Sequence, residues 1–136
     1  MNISKSIEEL ENDIWEETNF PTPLVEKCYK YRKIPVKDLT IEQTRLLVNQ
    51  SIGLNFLIPK AIGILKENIF AEGNFFEGDL LSAVLHAEKS YWAKDQTNKK
   101  ELINLLLDKS FKLKENISPI NSNRELLKQI EMFITS

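Results

Sequence analysis

The residue types that most often perform enzyme chemistry are scarce in this sequence. Its 136 residues include one histidine, His86, and one cysteine, Cys28. Catalysis requires a nucleophile beside a base, a metal site or a loop that cradles phosphate. A structural zinc site needs about four Cys or His ligands, and the glycine patterns of phosphate and dinucleotide loops are missing. We therefore expect no catalytic residue, no metal and no cofactor.

Both of these residues have an ordinary place in a helical pattern. His86 falls on the polar side of its predicted helix, opposite Leu81 and Leu85, which is typical of a solvated surface residue. Cys28 falls on an apolar helix face, where a buried thiol behaves as a small hydrophobic side chain. Neither position favours a reactive group.

Carboxylates are more abundant, and they are concentrated in two stretches. Residues 8–17 contain six acids and residues 67–79 contain four, with no lysine or arginine in either stretch. Neither has the spacing of a calcium-binding loop. Phe75 and Phe76 lie inside the second stretch between Gly73 and Gly78, and aromatic rings beside carboxylates are typical of a protein interface. The alternative is that the rings turn into the core while the acids solvate the loop and Asp79 caps a helix.

One basic stretch raises the question of nucleic-acid binding. Its members are Lys27, Lys30, Arg32, Lys33 and Lys37. We interpret these residues as the outer face of the second helix and its exit loop. A turn at Gly53 between two helices is reminiscent of a helix-turn-helix, but the following helix has only Lys60 and lacks side chains that read base edges.

Helical periodicity runs through almost the whole sequence. Ser6 with Glu9 and Thr40 with Gln43 are capping-box signatures. Helices are predicted near 7–15, from 23, over 41–50 and 54–69, over 79–92 with Asp79 as cap, from about 101 to 111, and finally around 126–134. The intervals 68–78 and 94–100 are predicted loops, and Pro119 separates the last two helices. No long period-two alternation occurs, so we predict an all-α, single-domain irregular bundle of about seven helices over residues 1–136.

Composition is that of an ordinary globular protein, and the sequence shows no targeting segment, so we expect a cytoplasmic protein. Hydrophobic residues make up 42% and charged residues 28%, as in a typical globular domain. The net charge of −2 is too small for a general affinity for nucleic acid. The acidic amino terminus is not a secretory signal, and no apolar run approaches the ~20 residues of a membrane-spanning helix.

Three segments in order resemble immunity proteins of bacterial contact-dependent growth inhibition (CDI) systems. They are SIEELENDIW, LTIEQTRLLVNQSIGLNFLIPKAIGILKEN and AEGNFFEGDLLSAVL, which together extend over residues 6–85. The resemblance implies a cytoplasmic antidote without enzymatic activity. Such a protein binds one cognate toxin domain one-to-one, and many of these toxins are nucleases with positive clefts.

An acidic surface would suit that partner. Our hypothesis for the toxin-binding residues therefore combines both acidic stretches with their neighbouring aromatic rings: Glu11, Asp13, Trp15, Glu16, Glu17, Glu72, Phe75, Phe76, Glu77 and Asp79. The alternative is a helical adaptor or regulatory protein that binds a cellular partner, or nucleic acid through residues 27–37.

Overall fold

The computed structural model describes residues 2–16, 19–110 and 123–136. Within these ranges the chain forms eight α-helices and one 3-10 turn at Val36–Asp38. The helices are α1 (Ile7–Glu11), α2 (Pro23–Tyr31), α3 (Ile41–Asn49), α4 (Leu54–Glu67), α5 (Asp79–Leu85), α6 (Lys89–Lys94), α7 (Gln96–Asp108) and α8 (Asn123–Thr135). A single bridge between Ser6 and Pro35 is the only β-type pairing in the described ranges. The all-α prediction is confirmed, while Phe111 and Pro119 lie outside the described residues.

Local hydrogen bonds explain where two of these helices begin. The backbone N–H of Glu9 donates to Ser6 Oγ at 3.2 Å, and the N–H of Gln43 donates to Thr40 Oγ1 at 3.1 Å. In both boxes the side chain of the third helical residue accepts a bond from the cap backbone in return. Helix N-termini leave backbone donors without partners, and each box satisfies two of them. Both predicted capping boxes are confirmed.

Helix α3 is central in the bundle. It packs most extensively against α5, and α4 lies against both. Leu46, Leu47 and Val48 are all buried, although they point to different sides of the helix. A helix that is apolar on more than one side must be covered by neighbouring elements on those sides. Helix α8 completes the arrangement by packing on α5 and α7.

The predicted helix over 79–92 is in fact two helices. Helix α5 ends at Leu85, and α6 begins only at Lys89. The predicted loop over 94–100 is also largely helical, because Asp95 accepts a bond from the N–H of Asn98 at 3.1 Å and starts α7 there. The longest described helix, α4, has 14 residues, and no helix in the described ranges is long and apolar enough to span a membrane.

The turn between α3 and α4 depends on Gly53. This residue has φ +65°, a left-handed conformation that side chains disfavour. A Cβ atom there would also lie 2.6 Å from Cδ1 of Ile7, which is fully buried. The turn and α1 can pack together only because residue 53 has no side chain.

We expect Gly53→Ala to lower the free energy of unfolding by about 2 kcal/mol or more, from left-handed strain and the clash with Ile7. Gly63→Ala is the matched control, because Gly63 lies inside α4 with nothing within 4 Å of its Cβ position. That change should instead stabilise by about 0.5–1 kcal/mol through helix propensity. Urea unfolding of both variants measures the difference, and equal effects would contradict this account of the turn.

Candidate protein-binding surface

The loop between α4 and α5, residues 68–78, presents two aromatic rings to solvent, and we call it the aromatic loop. Phe75 is 69% exposed and Phe76 is 40% exposed. Phe70 is only partly exposed and packs against the core. Glu72 and Glu77 are exposed on the same loop. Phe70 therefore supports the loop from inside, whereas Phe75 and Phe76 are available to a partner.

The buried carboxylate of Asp79 holds the aromatic loop in shape. Asp79 Oδ1 accepts from the backbone N–H of Gly73 at 2.6 Å, and Oδ2 accepts from those of Phe75 and Phe76 at 3.1 and 3.4 Å. The side chain is 4% exposed. The predicted capping role of Asp79 is wrong, because Gly78 occupies the cap position and Asp79 is the first residue of α5. Its carboxylate reaches back to satisfy loop amides instead.

A second carboxylate, from α3, holds the loop from the other side. Glu42 Oε1 accepts from the backbone N–H of Asn74 at 3.0 Å. The same carboxylate receives two bonds of 2.6 Å from the Arg45 guanidinium. These bonds from Arg45, helped by the Asn74 amide, hold the pKa of Glu42 below its usual range. Arg45 also lies over the Phe75 ring, 4.6 Å from its centroid.

Glu42 and Arg45 were not among the residues that the sequence singled out. Their spacing of three on a helix indicates a local ion pair and nothing more. The contact that matters for the loop is made to a backbone amide 32 residues later, and a backbone amide has no sequence signature.

The close approach of the two carboxylates explains why residue 73 is glycine. A Cβ atom at Gly73 would lie 3.2 Å from Asp79 Oδ2 and 3.2 Å from the Cα atom of Glu42. Both distances are tighter than ordinary side-chain contacts. Any larger residue would push the loop away from the groups that hold its amides.

A groove of about 410 Å³ opens beside the loop. The two exposed phenylalanines form one wall, and polar and small side chains of α3 and α5 form the rest. Those other lining residues include Arg45, Asn49, Ser82 and Ala83. The groove therefore combines apolar rings with hydrogen-bonding groups, as small binding clefts do.

The N-terminal acidic stretch is placed differently, because it lies against the end of α2. Arg32 donates to the Glu11 carboxylate at 3.0 Å and to the carbonyl oxygen of Asp13 at 2.9 Å. Its guanidinium is 3.9 Å from the centroid of the Trp15 ring. Arg32 is 1% exposed, so its predicted position on the outer face of the helix is wrong. The arginine neutralises part of the acidic charge and fixes the Trp15 side chain.

The remaining members of this stretch differ in exposure. Asp13 and Glu16 are exposed, and Trp15 is half-buried with its Nε1 donating to the Asp13 carboxylate at 3.3 Å. Glu17 lies outside the described residues. Among the residues that are described, no hydrogen bond or ion pair joins this stretch to the aromatic loop. The two groups of predicted residues are therefore held by different internal contacts.

The basic stretch that suggested nucleic acid is largely paired with carboxylates. Lys30 binds Glu26 at 3.1 Å and Lys33 binds Glu8 at 2.9 Å, while Arg32 is buried as described. The bond to Glu8 raises the pKa of Lys33. Three of the five cations therefore already have a carboxylate partner within the fold, which reduces the positive charge that this stretch offers to a phosphate backbone.

His86 and Cys28, whose side chains could be reactive, lie where the helical pattern predicted them. His86 is exposed, with Nδ1 2.9 Å from the carbonyl oxygen of Ser82. Cys28 is buried, and burial raises the pKa of its thiol, which disfavours the reactive thiolate. In the part of the chain that is described, no three His, Cys, Asp or Glu side chains are grouped to hold a metal ion.

Comparison with protein-family profiles identified a related family. The profile of a family described as CDI immunity proteins matches residues 9–102 of this chain. The matched region includes the aromatic loop, both carboxylates that hold it and the contact between Arg32 and Trp15. No curated protein and no solved structure matched the chain.

The aromatic loop should lose its shape without the Asp79 carboxylate. Replacing Asp79 with alanine removes three bonds to backbone amides and should cost about 2–3 kcal/mol of stability, because bonds to a charged acceptor are strong. Hydrogen exchange should accelerate most at the amides of Gly73, Phe75 and Phe76. Asp108→Ala removes an exposed acid from α7 and is the control. Unchanged exchange in the loop would show that Asp79 does not hold it.

The stabilising effect of Glu42 should depend on pH. The folded pKa of Glu42 lies below its ordinary value of 4.5, so its stabilising effect is complete above pH 4.5 and is lost as pH falls through the folded pKa. Glu42→Gln keeps the shape of the side chain but removes the carboxyl group that titrates. The stability difference between the native chain and this variant should therefore be largest near neutral pH and shrink in acid. Urea unfolding between pH 3 and 7 measures it, and a constant difference would contradict the ion-pair account.

Proposed function

This chain belongs to the family of CDI immunity proteins, and on that premise we propose that it neutralises its cognate toxin domain as a one-to-one complex. The family implies an antidote that acts by binding. We further propose that the complex forms in the cytoplasm of the cell that the toxin enters. In this proposal the toxin is a nuclease, and the immunity protein meets it with an acidic surface and performs no catalysis.

The observation that carries the proposed surface is the exposure of Phe75 and Phe76 on a loop whose backbone is fixed. Large apolar rings are usually buried, and their exposure together on one segment is typical of an interaction site. Fixing the loop beforehand reduces the entropy lost on binding. Glu72 and Glu77 flank the rings, and neither forms an ion pair with any residue in the described ranges.

In this proposal, the positive cleft of a nuclease is the reason for an acidic surface on the immunity protein. A cleft that binds nucleic acid must be positive, because it neutralises phosphates. Free carboxylates on the inhibitor are then attracted over long distances, and association can approach ~10⁸ M⁻¹s⁻¹ at low salt. The exposed rings add the short-range contact that keeps the complex together.

We propose different roles for the other predicted residues. Asp13, Glu16 and Glu17 are assigned to a second contact, together with Trp15, whose ring Arg32 holds. Glu11 and Asp79 are assigned to positioning, since each already holds an internal partner. The aromatic loop is therefore the first place to test.

Reversing the two free charges of the loop is the direct test. Glu72→Lys with Glu77→Lys should slow association with the cognate toxin domain about tenfold or more at low salt, with a smaller effect at high salt. The melting temperature should hardly change, because both side chains are exposed. The cognate toxin domain is identified from the gene directly upstream. Surface plasmon resonance measures association, and protection of growing cells measures neutralisation.

A matched control carries the same change in net charge elsewhere. Asp108→Lys with Glu131→Lys alters exposed acids on α7 and α8. This variant should bind the toxin almost as the native chain does. If the loop variant retains native affinity and protection, the aromatic loop has no part in neutralisation.

A further inference from the structure

Arg45 links helix α3 to the most exposed ring of the aromatic loop. Its guanidinium carbon lies 4.6 Å from the centroid of the Phe75 ring. The side chain of Arg45 is 11% exposed, although the residue that it faces is 69% exposed. A cation over an aromatic face is attracted to the ring, and a guanidinium group also stacks on it through its plane. One face of Phe75 is therefore occupied within the fold, while most of the ring remains in solvent.

Glu42 fixes the guanidinium group that faces the ring. The Nε and Nη2 atoms of Arg45 donate to the two oxygens of the Glu42 carboxylate, each at 2.6 Å. Such paired bonds set the orientation of the guanidinium plane as well as its position. Both residues lie on α3, the central helix of the bundle, so the contact with Phe75 starts from a well-packed element. Within the described ranges no aromatic pair includes Phe75, which leaves Arg45 as the group that lies over its ring.

The N-terminal acidic stretch contains the same arrangement. Arg32 is 1% exposed, donates to the Glu11 carboxylate at 3.0 Å and lies 3.9 Å from the centroid of the Trp15 ring. In both stretches, an aromatic ring that we predict to bind the toxin thus faces a largely buried arginine that is itself bound to a carboxylate. An exposed side chain otherwise samples several rotamers, and fixing one of them beforehand reduces the entropy lost on binding.

We propose that Arg45 is a positioning residue for toxin binding, because it holds the Phe75 ring in the orientation in which the toxin contacts it. This inference rests on the proposed function and adds a residue that acts through Phe75 without having to touch the toxin. The free face and the edge of the ring make the contact. Lysine cannot replace Arg45 in this role, since it keeps the positive charge but has neither the planar face nor the paired donors.

The orientation of the ring is measured first, on the full chain without toxin. Three-bond NMR couplings from the backbone ¹⁵N and ¹³C′ nuclei to Cγ report the χ1 rotamer of each phenylalanine. We expect one dominant rotamer for Phe75 in the native chain and averaging over rotamers in Arg45→Lys, with no such change at Phe76. Averaging at Phe75 in the native chain would overturn the inference, even if the variant did not fold. Equal averaging at both rings in the variant would mean that the whole loop is loosened, which also overturns it.

Toxin binding then shows whether this orientation matters. Arg45→Lys keeps the net charge, so the association rate should stay near its native value, whereas the complex should dissociate about threefold faster. In a Phe75→Leu background the same substitution should have no further effect, because the ring through which Arg45 acts is gone. In the matched Phe76→Leu background the threefold effect should persist. Surface plasmon resonance with the cognate toxin domain measures both rates.

Two kinetic results would exclude this role of Arg45. An equal effect of Arg45→Lys in the Phe75→Leu background would show that Arg45 acts through another contact, and an unchanged dissociation rate would show that it does not act on binding. The two proposals fail separately. If the native chain does not bind its toxin, the proposed function fails and Arg45 has no binding to serve. If the native chain binds and Arg45→Lys dissociates at the same rate, only the role of Arg45 is excluded.

Discussion

The aromatic loop depends on one buried carboxylate. Asp79 is 4% exposed, a position that is unfavourable for a charge unless donors surround it. Three backbone amides of the loop supply those donors, so the loop and the first turn of α5 stabilise each other. Because α5 packs on α3, the loop is tied to the centre of the bundle. The exposure of two phenylalanine rings is therefore a property of the fold rather than of a free segment.

The two acidic stretches look alike in sequence, but their carboxylates have different electrostatic surroundings in the structure. In the N-terminal stretch, Glu11 is neutralised by the buried Arg32 and Glu8 by Lys33, both at the end of α2. In the loop, Asp79 is satisfied by amides, which bring no full charge, and Glu72 and Glu77 form no ion pair within the described ranges. Local charge density is thus a poor guide to surface potential when the opposing charges come from elsewhere in the chain.

Sequence reasoning predicted the features that depend on neighbours along the chain. The capping boxes at Ser6 and Thr40 follow from spacing alone. The burial of Arg32 and the role of Glu42 depend on contacts between distant segments, which periodicity does not contain. Periodicity also does not predict the break between α5 and α6. The toxin-binding residues as a set remain a prediction, since their roles involve a surface outside this chain.

The way the loop is held has a consequence for variation. Asp79 and Glu42 bind main-chain N–H groups, and every amino acid except proline supplies one. Residues 74–77 can therefore change their side chains while the hydrogen bonds that shape the loop persist. Architecture and recognition are encoded at different positions of the same short segment. A lineage could then acquire a new partner by altering a few exposed side chains, with its bundle and stability left intact.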